Sequence, residues 1–269
     1  MVPRSVSRRA VLVGAAGVTV GLAASWPLLP SGFKRRLGLG PDPYIPDAAE
    51  GTITLETVAS AARGSDVSLF TAVPAGYGDG AGLPVVVVLH GATGRPTDYQ
   101  EFGLGRFLTA AVEAGSPPFV LAGADGGTLR WEPQANGDDP QRMVRDEMPQ
   151  WLSERGFDAA RRAVWGWSMG GYGALRLAEV APRWAQATAA FSPAVTPGDP
   201  VFADVDRLAT QPLGVWCGTD DALYDGVRAF VDRLPVKAEA GSFSPGGHTR
   251  VYWNSQTLAA FDFLASHLN

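Results

Sequence analysis

Along this chain the apolar residues come in short runs of two periods, strand-like and helix-like, that take turns. Residues 83–90, LPVVVVLH, are an unbroken β-branched run, the pattern of a central parallel strand covered on both faces. Shorter apolar runs at 119–124, 163–167, 187–191 and 213–217 predict further strands, and 236–240 a last one. Residues 52–59 and 66–73, separated by Arg63-Gly64-Ser65, predict two strands that open the series. Helical patterns lie between these runs at 102–113, 169–180, 222–234 and 255–267. Another helix begins at Asp139-Pro140, with Asp139 as N-cap and Pro140 in the first turn. Pro149 is expected to kink that helix or end its regular part.

Strands alternating with helices predict an α/β protein with a doubly wound, mostly parallel sheet and helices on both faces. In such sheets ligands bind at the carboxyl ends of the strands. Gly91, Asp125, Ser168 and the pair Asp220-Asp221 each follow a predicted strand, so they share that edge. The stretch between 191 and 213 has room for a loop but not for a large lid domain.

The first thirty residues break the pattern. A basic start is followed by a Gly/Ala-rich apolar run, residues 10–24, too short and too mildly hydrophobic for a comfortable membrane span. Ser7-Arg8-Arg9-Ala10-Val11-Leu12 resembles a bacterial twin-arginine export signal, which export machinery reads as an address. The expected organisation is therefore a signal peptide or N-terminal anchor over 1–30, a Pro/Gly/basic linker over 31–50 and a catalytic domain over 51–269. Membrane attachment is expected only if the N-terminal segment stays uncleaved.

Composition narrows the chemistry. With 46% hydrophobic and 18% charged residues the chain can build a core, and a net charge of −5 without an aromatic-basic surface argues against nucleic acid. A single cysteine, Cys217, excludes an internal disulfide and a cysteine-based zinc site. Only three histidines, His90, His248 and His267, leave little room for a metal centre, and no cofactor is expected.

Against that background AVWGWSMGGYGALRLA, residues 163–178, stands out: a strand runs through Gly166-Trp167-Ser168-Met169-Gly170 into a helix. A sharp strand-to-helix turn exposes its serine, and side chains two positions either side would collide, so Gly166 and Gly170 suit a nucleophile elbow. The helix that starts at Met169 aims free N–H groups at the place where an oxyanion forms, and Gly91 or Ala92 after the central strand can supply a second donor. The acid is expected after the strand ending at Cys217, in GTDD, with Asp221 preferred to Asp220 and the other aspartate capping the next helix. The base is expected to be His248, in the Gly/Ser/Pro loop AGSFSPGGHTRVYW. His90 comes too early in chain order for that role and His267 suits a helix end. Asp125 and Trp131, in ADGGTLRWEPQANGDD, are candidate pocket residues, with a structural turn the competing reading.

Ser168 in GWSMGGYGAL, Asp221 in CGTDD and His248 in GGHTRVYW together resemble the α/β-hydrolase-fold esterases that include esterase D and, more distantly, the mycobacterial mycolyltransferases. The resemblance runs from about residue 52 to 268, and S-M-G-G and G-G-H-x-x-x-Y-W are its most specific parts. Departures are visible: the transferases use a glutamate as acid and lack this glycine pair, and HGATG stands where many lipases carry HGGG. The resemblance implies a serine hydrolase that cleaves small-molecule or glycan-linked acyl esters through an acyl-enzyme. Transfer of the acyl group to a cell-envelope carbohydrate is the near alternative, and a non-catalytic envelope-binding protein on the same scaffold the distant one.

Overall fold

The computed structural model describes residues 42–268, so the predicted export segment and the first part of the predicted linker lie outside the described residues. The body of the fold starts at Pro43, within the segment assigned to the linker. Tyr44 sets its ring edge-on to Phe107 at 5.9 Å, and its carbonyl accepts from the Asn254 amide at 2.8 Å. Pro/Gly composition marks irregular backbone, and irregular backbone can still pack.

The elements follow in the order Thr52–Ser60 (β1), Ser65–Val73 (β2), Pro84–Leu89 (β3), Leu104–Glu113 (α1) and Val120–Ala124 (β4). A composite helix (α2) comes next, with a π segment, Met143–Glu147, between Pro140–Arg142 and Met148–Glu154. Then come Asp158–Trp167 (β5), Met169–Val180 (α3), Thr188–Phe191 (β6), Pro200–Ala203 (α4), Leu213–Gly218 (β7), Tyr224–Val231 (α5), Ala240–Ser244 (β8) and Arg250–Ser266 (α6). One eight-stranded sheet has the order β1-β2-β4-β3-β5-β6-β7-β8. β2 pairs antiparallel with β1 and with β4, and every other neighbouring pair is parallel.

The valines of β3 show why an unbroken apolar run belongs at the centre. Val86 and Val88 face the layer of α1 and α6 with Phe107, Phe261 and Leu264, whereas Val85, Val87 and Leu89 face α2 and α3 with Met148, Leu152 and Leu177. Each such burial contributes about 1.5–3 kcal/mol, so both faces of the strand are committed to core. Because β4 lies on one side of β3 and β5 on the other, the order of winding reverses there, and a crevice opens at the carboxyl ends of β3 and β5. The stretch between β6 and β7 holds only short helical turns and forms no lid domain.

Two expectations change. Pro149 does not interrupt α2: the Arg145 carbonyl, which its missing N–H would have served, accepts instead from the Trp184 indole N–H at 2.9 Å. The last strand lies at Ala240–Ser244 rather than 236–240. Val236 is exposed, and β8 is an edge strand defined by its pairing with β7, not by apolar content of its own. α6 also begins earlier than its apolar pattern suggests, directly after Thr249, whose side chain accepts from the Tyr252 N–H.

Candidate active site

Ser168 sits between β5 and α3 with φ +56° and ψ −120°, a conformation that L residues adopt only when their surroundings hold them there. Three backbone bonds do the holding: its N–H donates to the Phe191 carbonyl at 2.8 Å, and its carbonyl accepts from Tyr172 at 3.1 Å and Ala194 at 2.9 Å. The flanking glycines are steric requirements. A Cβ on Gly166 would lie 2.2 Å from the Gly170 carbonyl oxygen, and one on Gly170 would lie 1.9 Å from that of Leu89. Gly170→Ala is therefore expected to lose about 3 kcal/mol or more, read as a collapse in Tm or in soluble yield. A variant with unchanged Tm would show that the elbow tolerates displacement of β3.

His248 reaches the serine from the loop between β8 and α6. Its Nε2 lies 2.9 Å from Ser168 Oγ, and its Nδ1 lies 2.9 and 3.1 Å from the two carboxylate oxygens of Asp221. Asp221 follows β7, and its carboxylate is closed off from solvent. Burial raises its pKa, but hydrogen bonds from His248, the Leu223 N–H and the Ser192 hydroxyl outweigh that, and the group is held below the usual carboxylate value. It is thus ionised wherever the histidine can act as a base. Asp220 points elsewhere: Oδ2 accepts from the Gly246 N–H at 3.3 Å, and its own N–H donates to the Gly246 carbonyl at 2.9 Å. The second aspartate therefore fastens the histidine loop and does not cap the next helix. The same loop approaches β7 so closely that a Cβ on Gly218 would lie 2.0 Å from the Gly246 oxygen.

The loop after β3 passes beside the serine, where a Cβ on Gly91 would stand 3.3 Å from Ser168 Cβ. His90 is buried beneath it. The Gly126 N–H donates to His90 Nε2 at 3.0 Å, which leaves the ring proton on Nδ1 to bind the Gly91 carbonyl at 2.8 Å. That carbonyl also accepts from Gly94 at 3.0 Å. In a trans peptide the carbonyl and the next N–H point in opposite directions, so this clamp turns the Ala92 N–H away from His90. Met169, as first residue of α3, has an N–H with no acceptor inside the helix.

Trp131 requires a correction. It is 1% exposed and wedged where added Cβ atoms on Gly126 and Gly173 would come within 2.4 and 2.6 Å of its ring, while its N–H donates to the His90 carbonyl at 3.1 Å. It ties the loop after β4 to α3 and presents no face to a ligand. Asp125 is half-buried in the same knot, where its Oδ1 accepts from the Gly127 N–H at 2.8 Å. His267 lies at the end of α6 against Glu239, on other elements than the serine loop. Ser192 and Trp253 were not singled out by sequence, yet the Trp253 indole donates to Ser192 Oγ at 3.0 Å behind the His248 ring. For Ser192 the available cue was its position at the carboxyl end of β6. Among the described residues no group of three or more His, Cys, Asp and Glu side chains could hold a metal ion.

Comparison with solved structures shows the same architecture. A ferulic acid esterase superposes with a TM-score of 0.70 at 19% identity, covering 81% of this chain and 98% of the other. An S-formylglutathione hydrolase from Agrobacterium tumefaciens gives 0.69 at 16% identity, covering 83% and 98%. The fluorophosphonate-binding serine hydrolase FphF of Staphylococcus aureus gives 0.66 at 17%, covering 80% and 98%. At such identities the likeness speaks for the fold. No match was found among curated protein sequences. The family model described as "Putative esterase" matches residues 60–234, most of the sheet and the serine elbow included. The chain thus belongs to this esterase family, whose members hydrolyse carboxylic esters with a serine nucleophile on the α/β-hydrolase fold.

Proposed function

We propose that the protein is an exported esterase working through Ser168, His248 and Asp221. The observation that carries this reading is the unbroken hydrogen-bond line from Ser168 Oγ through both nitrogens of His248 to Asp221, every step at 2.9 Å. His248 Nε2 takes the hydroxyl proton as Ser168 Oγ attacks the ester carbonyl carbon. The negative charge moves to the carbonyl oxygen, met by the N–H groups of Met169 and Ala92. Ala92 is preferred to Gly91 because the His90 clamp turns its N–H outward. Collapse of the intermediate expels the alcohol, which takes the proton back from His248 Nε2. Water then attacks the acyl-serine with His248 again as base, releasing the acid. Throughout, Asp221 keeps the Nδ1 proton in place and stabilises the imidazolium.

The substrates proposed are esters of short acyl groups, or acyl groups on sugars, since no lid domain shelters a long chain among the described residues. Fluorophosphonate labelling of the purified protein tests the nucleophile, and an ester panel with and without sugar acceptors separates hydrolysis from transfer. Hydrolysis predicts free acid as the main product even with acceptor present. Dominance of the acyl sugar would make the protein a transferase. A folded protein that neither labels nor turns over any ester would leave only a binding role.

Export is proposed from the Arg8-Arg9 motif. With Arg8 and Arg9 both changed to Lys, cell fractionation is expected to find the protein retained in the cytoplasm. Unchanged export would exclude the twin-arginine route.

A further inference from the structure

Behind the proposed triad, the motif G-G-H-x-x-x-Y-W has a role that hydrolysis as described does not use. Tyr252 and Trp253 occupy the first turn of α6, immediately after the histidine loop. The Tyr252 hydroxyl donates to the Ser242 carbonyl at 2.9 Å, and its ring underlies Gly246, where a Cβ would approach it to 2.5 Å. Tyr252 thus anchors the loop. Trp253 faces the site itself: its ring stands edge-on to the His248 imidazole at 4.9 Å, and its indole N–H reaches Ser192 Oγ at 3.0 Å.

Ser192 is wholly buried and held at φ +41°, a strained backbone position for any residue but glycine. Its N–H donates to the Trp216 carbonyl at 2.7 Å, which fixes it at the end of β6. The hydroxyl has one proton and two neighbours besides the indole, the Asp221 carboxylate and the Cys217 thiol. An indole N–H can only donate, so Ser192 Oγ accepts from Trp253 and its own proton is free to go onward. Burial pushes Cys217 up to about 12, so it stays a thiol and a poor acceptor, and the carboxylate takes the proton.

Resting on the triad reading above, we infer that Ser192 and Trp253 form a positioning relay, Trp253 Nε1–H to Ser192 Oγ–H to Asp221, that aims the acid at His248. Trp253 does so twice over, since the same side chain braces the imidazole from the side. Neither residue touches the reacting atoms. Without the serine proton the carboxylate charge is less delocalised and grips the His248 Nδ1 proton more strongly, so the imidazolium is harder to deprotonate. The other groups facing the pair keep their charge: Cys217 and Tyr252 are both pushed up to about 12, and Asp220 is turned to Gly246.

The test is a double-mutant cycle of Ser192→Ala and Trp253→Phe, with kcat, KM and the acid limb of the kcat/KM–pH profile measured for each. Ser192→Ala is expected to lower kcat about tenfold with little change in KM, and to move the acid limb to higher pH. Trp253→Phe, which keeps a ring but removes the donor, is expected to shift in the same direction by less. The double variant is expected to be no worse than the more impaired single one, because both act through one hydroxyl. Strictly additive losses, or an active set of variants with an unmoved acid limb, would overturn the relay while leaving the triad standing. If Ser192→Ala does not fold, the acid limb of Trp253→Phe decides. A folded wild type without labelling or turnover would instead remove the triad reading itself.

Discussion

Ser168→Ala should abolish hydrolysis while leaving the fold intact. The expected loss is about 10⁶-fold in kcat, the scale on which serine hydrolases fall when the nucleophile or its base is removed. The substitution deletes the atom that lies 2.9 Å from His248 Nε2 and nothing that holds the elbow. All three backbone bonds that fix residue 168 involve its N–H and carbonyl, so alanine can occupy the same strained position. Tm should accordingly stay close to that of the wild type, and fluorophosphonate labelling should vanish. His248→Ala should match it in kcat, since nucleophile and base act as one unit and their losses do not add. Retained labelling in a folded Ser168→Ala protein would place the reactive serine elsewhere and end the proposal.

The two neighbouring aspartates should separate by orders of magnitude. Asp221→Asn is expected to lower kcat about 10⁴-fold. The Asp221 carboxylate accepts from His248, from the Leu223 N–H at 2.9 Å and from the Ser192 hydroxyl. An asparagine offers one oxygen and an NH₂ group to these three donors. Either a donor goes unsatisfied, or the NH₂ turns to His248 Nδ1 and forces the ring proton onto Nε2, where it faces Ser168 and blocks proton transfer. Asp220→Asn should change kcat/KM only modestly, because an amide oxygen can still accept from Gly246 and the backbone bond between the two residues remains. Equal losses in the two variants would mean that the histidine loop, rather than the acid, limits the reaction. The low pKa of Asp221 adds a pH expectation. Since the group is ionised well below neutrality, the acid limb of the wild-type profile reports His248 and not the carboxylate.

Trp131 and β8 show where the reading of residues stopped. A tryptophan in a glycine-rich loop beside a strand end reads equally well as a pocket wall or a wedge. What decides is the absence of a Cβ on Gly126 and Gly173, one in the same loop and the other in α3, so the indole fits between them. Such a contact has no trace in local periodicity. β8 is similar: AGSFS has little apolar signal, and hydrogen bonds to Gly214–Gly218 define it. Ser192 is a sharper case, because its importance arises from three partners, at positions 217, 221 and 253, that meet only after β6, β7 and α6 are packed.

By itself the sequence determined the order of strands and helices, the doubly wound class and the elbow around Ser168. All of these rest on local rules: which side chains can alternate faces, which can turn sharply, and where a glycine must stand. It also brought the acid down to two residues and the base to one. The choice between Asp220 and Asp221, the inward place of Trp131, the clamp of His90 on the oxyanion loop and the link from Trp253 to the acid were decided by the tertiary structure alone. Each depends on distances between segments far apart in the chain, and a hydrogen bond exists only where packing has already brought donor and acceptor within about 3 Å.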